Sequence, residues 1–89
     1  MKREILQKLY IVSTLNGNPS YYLDLAVAEE AYQKKCDWYR KILSKERFRE
    51  ASVELPDGDK WTEWRDKDNM LSQDVTFDIK CIKTKATIL

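Results

Sequence analysis

The sequence predicts a small α+β domain in which one long amphipathic helix lies across one face of an antiparallel sheet of three to five strands. Three observations carry that reading. Leu25, Ala28, Tyr32, Cys36, Tyr39 and Leu43 recur at spacings of three or four, which puts them on one seam of a helix running from Asp24 to Glu46. Asn16-Gly17 separates two runs rich in β-branched and aromatic residues, the strongest short-range signal for a hairpin. Val75, Phe77, Ile79 and Cys81 alternate with Thr76, Asp78 and Lys80, as a half-buried strand does.

The elements follow in order. Leu6 to Thr14 reads as the first strand, with Leu9, Ile11 and Ser13 on one side and Tyr10, Val12 and Thr14 on the other. After the Asn16–Pro19 turn, Ser20 to Leu23 returns as a short second strand. Asp24 is suited to cap the helix, its carboxylate accepting from the first free amides. Glu29 and Glu30 in the early turns, with Lys41, Lys45 and Arg47 in or after the last, complement the helix macrodipole. Glu30 to Lys34 and Asp37 to Lys41 are i,i+4 pairs in the favoured orientation. Ala51 to Leu55 alternates like a strand, Pro56-Asp57-Gly58-Asp59 is a turn, and Lys60 to Asp66 comes back as its hairpin partner. A short helix capped by Asp59, with Trp61 and Trp64 on one face, is the competing reading. On a strand the two tryptophans face opposite sides, so one is buried and the other is not. Lys67 to Asp74 is a polar connection into the last strand. The helix seam is expected to pack on Leu9, Ile11, Val53, Val75, Phe77 and Ile79, each contributing roughly 1.5–3 kcal/mol when fully buried.

Eighty-nine residues, residues 1–89, are expected to form a single compact domain. At 43% hydrophobic and 35% charged, with two glycines and two prolines, the composition is that of a folded, water-facing chain. Sixteen basic and fifteen acidic residues leave a net charge of +1, so no global field draws the chain to nucleic acid or to an anionic membrane. No segment is long and apolar enough for a membrane span, and the N-terminal run is too short and polar for a secretory signal. Two cysteines, Cys36 and Cys81, cannot build a secreted disulfide framework, and both are expected to be reduced, Cys81 on the apolar face of the last strand. A cytoplasmic location is the expectation.

No reaction is written in this chain. It has no histidine, which removes the commonest general base, the commonest zinc ligand and every Cys-His or Ser-His arrangement. Asp57, Asp59, Glu63, Asp66 and Asp68 form an acidic stretch, yet the ligand ladder and closing Glu of a calcium loop are missing. No glycine-rich phosphate loop or nucleophile elbow occurs. The expectation is a protein without catalytic residues, metal or cofactor.

Charge divided by region is more informative. Residues 34–49 hold seven basic side chains against two acidic ones, and residues 54–74 hold seven acidic against three basic. Beside the helix seam lies a second flank of Val27, Ala31, Trp38 and Ile42, interrupted by Lys35, and seam and flank together cover more than the roughly 100° stripe a surface helix needs. Core is the expected fate of Ile42. Trp38, among Lys34, Lys35, Arg40, Lys41 and Lys45, is the best candidate for an exposed anchor, because Trp and Arg dominate binding hot spots. Trp64 is the second candidate contact. These seven residues are the expected partner-binding surface. The function expected is therefore binding to a larger protein and inhibiting or modulating it. A weak single-stranded nucleic-acid binder, stacking bases on Tyr32, Trp38 and Tyr39, is the main alternative. A self-associating structural subunit, a homo-oligomer, is the third.

In size, charge and fold type the whole chain resembles the small accessory proteins of bacteriophages and other mobile elements, many of which bind and inhibit a host or defence protein. The resemblance implies an anti-defence or host-takeover role in the host cytoplasm. It rests on no motif and assigns no residue.

Overall fold

A computed structural model describes the backbone of residues 2–87 and the side chains of residues 4–83. Five strands and one helix follow one another as β1 (Lys2–Thr14), β2 (Ser20–Tyr22), α1 (Leu25–Ile42), β3 (Arg49–Glu54), β4 (Lys60–Arg65) and β5 (Leu71–Thr87). All pairings are antiparallel, in the order β2-β1-β5-β4-β3, so the first strand and the last form the centre of the sheet. The predicted fold class and its hairpin–helix–strands order are what the chain adopts.

Local chemistry explains the boundaries. Asp24 caps the helix, its Oδ1 accepting from the Val27 amide at 3.0 Å. No acidic side chain occupies the first turn, contrary to the dipole reading of Glu29 and Glu30. Glu29 instead pairs with Lys60 at 3.6 Å and Glu30 with Lys34 at 3.0 Å. The helix ends at Ile42, short of the expected Glu46, because Leu43 turns to φ −100°, ψ 112° while its amide still reaches the Tyr39 carbonyl. The expected Asp37–Lys41 pair is replaced by Asp37–Arg40 at 3.1 Å. Residues 60–65 are a strand, not the competing helix. Gly58 in the preceding turn has φ 98°, a left-handed conformation, and a Cβ there would meet Ile79 Cδ1 at 2.8 Å. The polar connection before β5 is shorter than expected, because Asp66 Oδ1 gathers the amides of Asp68 and Met70 into a tight turn and β5 begins at Leu71.

Cross-strand partners share a face of the sheet. Tyr10 opposes Ile79, Val12 opposes Phe77, and Thr62 opposes Val75, so the helix rests on these side chains together with Trp64. Ala28, Tyr32 and Cys36 descend onto them from the seam, and Tyr39 and Leu43 flank the contact. Phe77 is the centre, with the Tyr32 ring edge-on at 5.9 Å and Tyr10 at 6.0 Å. A buried polar chain crosses the interface: Tyr32 Oη lies 2.7 Å from Thr62 Oγ1, which lies 2.9 Å from Ser52 Oγ. Lys60 covers this cluster, its ammonium 5.1 Å from the Tyr32 ring centre and 5.0 Å from that of Phe77.

Several expected core residues lie elsewhere. The phase of β1 is inverted: Tyr10 and Val12 meet the helix, while Leu9 and Ile11 sit on the opposite, open face. Val53 pairs with Trp61 on that open face as well. Leu25 is exposed at the start of the seam, Ile42 is exposed rather than core, and Cys81 is exposed because the helix does not extend that far.

The molecule is long for its size, with principal extents of 60 × 21 × 20 Å. β2 pairs with β1 only between residues 10 and 12, and β4 reaches no further along β5 than Phe77. Residues 2–8 and 81–87 therefore continue past the helix as a two-stranded ribbon. At about 3.3 Å per residue, that ribbon projects roughly 25 Å from the body.

Candidate functional site

Where the helix stops, the chain doubles back. The Ser44 carbonyl accepts from the amides of Arg47 and Phe48, and Ser44 Oγ accepts from Glu46. This turn feeds β3 beneath the last turn of the helix. A cleft of about 470 Å³ opens there, lined by Arg40, Leu43, Lys45, Phe48, Arg49, Glu50 and Trp64. Its base is apolar: Trp64 is 2% exposed and packs against Tyr39 at 5.6 Å between ring centres. Its rim is cationic.

Glu50 organises the cleft. Its Oε1 accepts from Arg40 Nε at 2.8 Å and from the Trp64 indole N–H at 3.1 Å, while Arg40 Nη1 also reaches Asp37 at 3.1 Å. The Glu50 hydrogen bond, more than any other influence, raises the Arg40 pKa, so that guanidinium is charged and held in place. Arg49 Nη2 donates to Asn69 Oδ1 at 2.9 Å. Lys45, by contrast, forms no ion pair among the described residues, and neither do Lys35 and Lys41.

Turning outward on the same helix, Trp38 is 59% exposed, with Val27 and Ile42 also exposed along the flank that faces away from the sheet. Lys34 and Lys41 are exposed beside it, and Lys35 is half-buried. Five of the seven expected contact residues thus lie along the helix, with Lys45 at the cleft rim just beyond its end. Trp64 is different: the core takes it, and only its indole edge meets the cleft. Burial corrects its reading as a contact anchor. Trp61, on the opposite face, is the more accessible of the two. Phe48 and Glu50 were not legible as site residues. The available signal was that Phe48 is the single apolar side chain between Ser44 and Glu50.

The stacking alternative keeps Trp38 as its platform and lacks the two tyrosines. Tyr32 is buried and Tyr39 half-buried against Trp64, so neither ring is open to a base. The buried Tyr32 hydroxyl and Cys36 thiol are both held in their protonated forms. Burial pushes the Tyr32 hydroxyl up to about 12, and burial likewise raises the Cys36 thiol above its ordinary range. Among the described residues, no three His, Cys, Asp or Glu side chains converge as a metal site. No helix is long and apolar enough to cross a membrane.

No protein-family model, curated protein or solved structure matches this chain. The functional reading rests on the geometry alone.

Proposed function

We propose that this protein is a non-enzymatic module that binds a larger protein and modulates or inhibits it. The observation that carries the reading is Trp38. A tryptophan 59% exposed on the outer helix face, in line with exposed Val27 and Ile42, serves no packing purpose in a fold that buries Trp64 almost completely. Exposed aromatic and aliphatic anchors ringed by lysines suit a hot spot that desolvates on contact, with charge steering the approach. The adjoining cleft, apolar at its base and cationic at its rim, suits an acidic segment of the partner that ends in an apolar side chain. The same size, charge and lack of reactive groups support an accessory role of the phage or mobile-element kind, acting in the cell that holds the target.

The test compares the wild-type chain with Trp38→Ala/Lys41→Glu as baits in a host lysate. Both side chains are exposed, so the variant is expected to melt within about 0.5 kcal/mol of wild type. A protein retained by wild type and lost by the variant supports the surface. Undiminished capture by a folded variant rejects it.

A further inference from the structure

The two-stranded ribbon is the feature that neither the core nor the helix surface explains. Counting Lys80 at its root, it carries Lys2, Arg3, Lys8, Lys80, Lys83 and Lys85 against the single carboxylate of Glu4. The rest of the chain, residues 9–79, holds ten basic and fourteen acidic residues. A nearly neutral molecule is thus divided into a ribbon of net +5 and a body of net −4. Among the described side chains Lys8, Lys80 and Lys83 are exposed, and Glu4 meets Lys83 at 3.9 Å. Apolar groups are exposed there too, with Leu6 70% accessible. A bare two-stranded ribbon is marginal in water by itself. Its persistence calls for a partner.

We infer that the ribbon is a docking arm for double-stranded DNA, seated in the major groove. Charge selects the partner class: ribbon-to-ribbon pairing of two copies sets +5 against +5, a second copy's body offers only −4 interspersed with ten cations, and a polyphosphate is uniformly complementary. Shape narrows it further. A B-form major groove about 12 Å wide admits a two-stranded ribbon, whereas the A-form RNA major groove is too deep and narrow. The roughly 25 Å of ribbon spans about seven base pairs at 3.4 Å each. Distance also matters: Asp57, Asp59 and Asp78 lie at the ribbon's base, beside Ile79. Lys80 lies within their reach, since its charge acts on Asp78, whereas Lys83 stands four residues beyond Ile79, roughly 13 Å along the strand and past the Debye length of about 8 Å at physiological salt. The arm points away from the cleft, since β4 runs from Lys60 opposite Phe77 to Trp64, which adjoins the cleft, at the other end of the body. DNA and a partner segment seated in the cleft therefore occupy separate ends.

Fluorescence anisotropy with the full chain and a labelled mixed-sequence duplex of about 20 base pairs, read between about 50 and 200 mM salt, tests this directly. The expected result is binding whose log affinity falls with log salt at a slope of roughly −3.5 to −5.5, from about four to six phosphate contacts. Lys8→Glu/Lys80→Glu/Lys83→Glu is expected to weaken binding by about tenfold or more, while Lys34→Glu/Lys41→Glu on the helix leaves it within about twofold. No salt-dependent binding by the wild-type chain overturns the inference, whatever the variants do. So does an equal loss in the helix variant, an equal affinity for duplex RNA, or sedimentation showing a ribbon-dependent dimer in place of a DNA complex.

Discussion

The same two strands live two different lives in this molecule. Between residues 10 and 14 of β1 and 75 and 79 of β5 they are the centre of a five-stranded sheet, covered by a helix and filled by Tyr10, Val12, Val75 and Phe77. Beyond that they are a ribbon with Leu6 and Cys81 exposed on the face that the helix would have covered. The β1–β5 ladder is continuous across both regions, so the difference lies in the flanking strands β2 and β4 and in side-chain burial. Hydrogen bonds to the neighbouring strand hold either region in register, but their net worth is only about 1 kcal/mol each. The body gains its stability from apolar contact, and the ribbon has little of that to offer. Such a division suits a rigid domain carrying a contact element.

The largest effect separates the two regions outright. Phe77→Ala removes the ring that Tyr10, Tyr32 and Lys60 pack on, and is expected to cost about 3–5 kcal/mol in denaturant unfolding. Leu6→Ala, on the same sheet face in the ribbon, is expected to stay within about 0.5 kcal/mol. Similar costs at both positions would erase the contrast.

Alkaline titration sharpens it. The Tyr32 hydroxyl is pushed from its ordinary 10 up to about 12, so the folded state keeps a proton that the unfolded chain gives up. Stability that is fully present below pH 10 is then lost as pH rises towards 12, by roughly 2–3 kcal/mol. Tyr32→Phe is expected to abolish most of that slope in thermal melts taken across the range.

Thr62→Val is expected to be less costly, at about 1–3 kcal/mol, because it leaves the buried Tyr32 hydroxyl without its hydrogen-bond partner. Combining it with Tyr32→Phe should return part of the loss, and strict additivity of the two would argue against the shared network.

The smallest effect lies where body passes into ribbon. Asp78 is raised above the usual carboxylate range, first by burial and then by Asp59 nearby. A raised folded pKa means that its charge opposes folding above that pKa, and the penalty disappears as pH falls through the carboxylate range. Asp78→Asn is therefore expected to raise the melting temperature slightly at pH 7 and to leave it unchanged in acid. A lower melting temperature at pH 7 would contradict the assignment.

Legibility in the sequence follows the same boundary. The helix was readable because Ala28, Tyr32 and Cys36 bury against a single surface, and that imposes a period. The strand phase of β1 was not, because Leu9 and Ile11 on one side are as apolar as Tyr10 and Val12 on the other. Only the cross-strand register with Ile79 and Phe77 decides which pair meets the helix, and register is a long-range property. The extra length of β1 and β5 was invisible for a related reason. A ribbon with no covered face has no burial pattern to write into its residues. At the candidate site, the exposure of Trp38 could be anticipated from its position beside the seam. The cleft could not, since it depends on Ser44 turning the chain so that Phe48 and Glu50 return beneath Arg40.

One consequence of the sheet order concerns how the chain reaches this state. β1 finds its principal neighbour in β5, sixty and more residues later, from Thr14 with Val75 outward to Lys2 with Thr87. During synthesis the first hairpin and the helix emerge with nothing to rest on, because Val75 and Phe77 are made only after β3 and β4. Closing so large a loop before its contacts repay the entropy places the chain among slow folders for its length. The nascent helix must wait, apolar seam open, until β5 has been made.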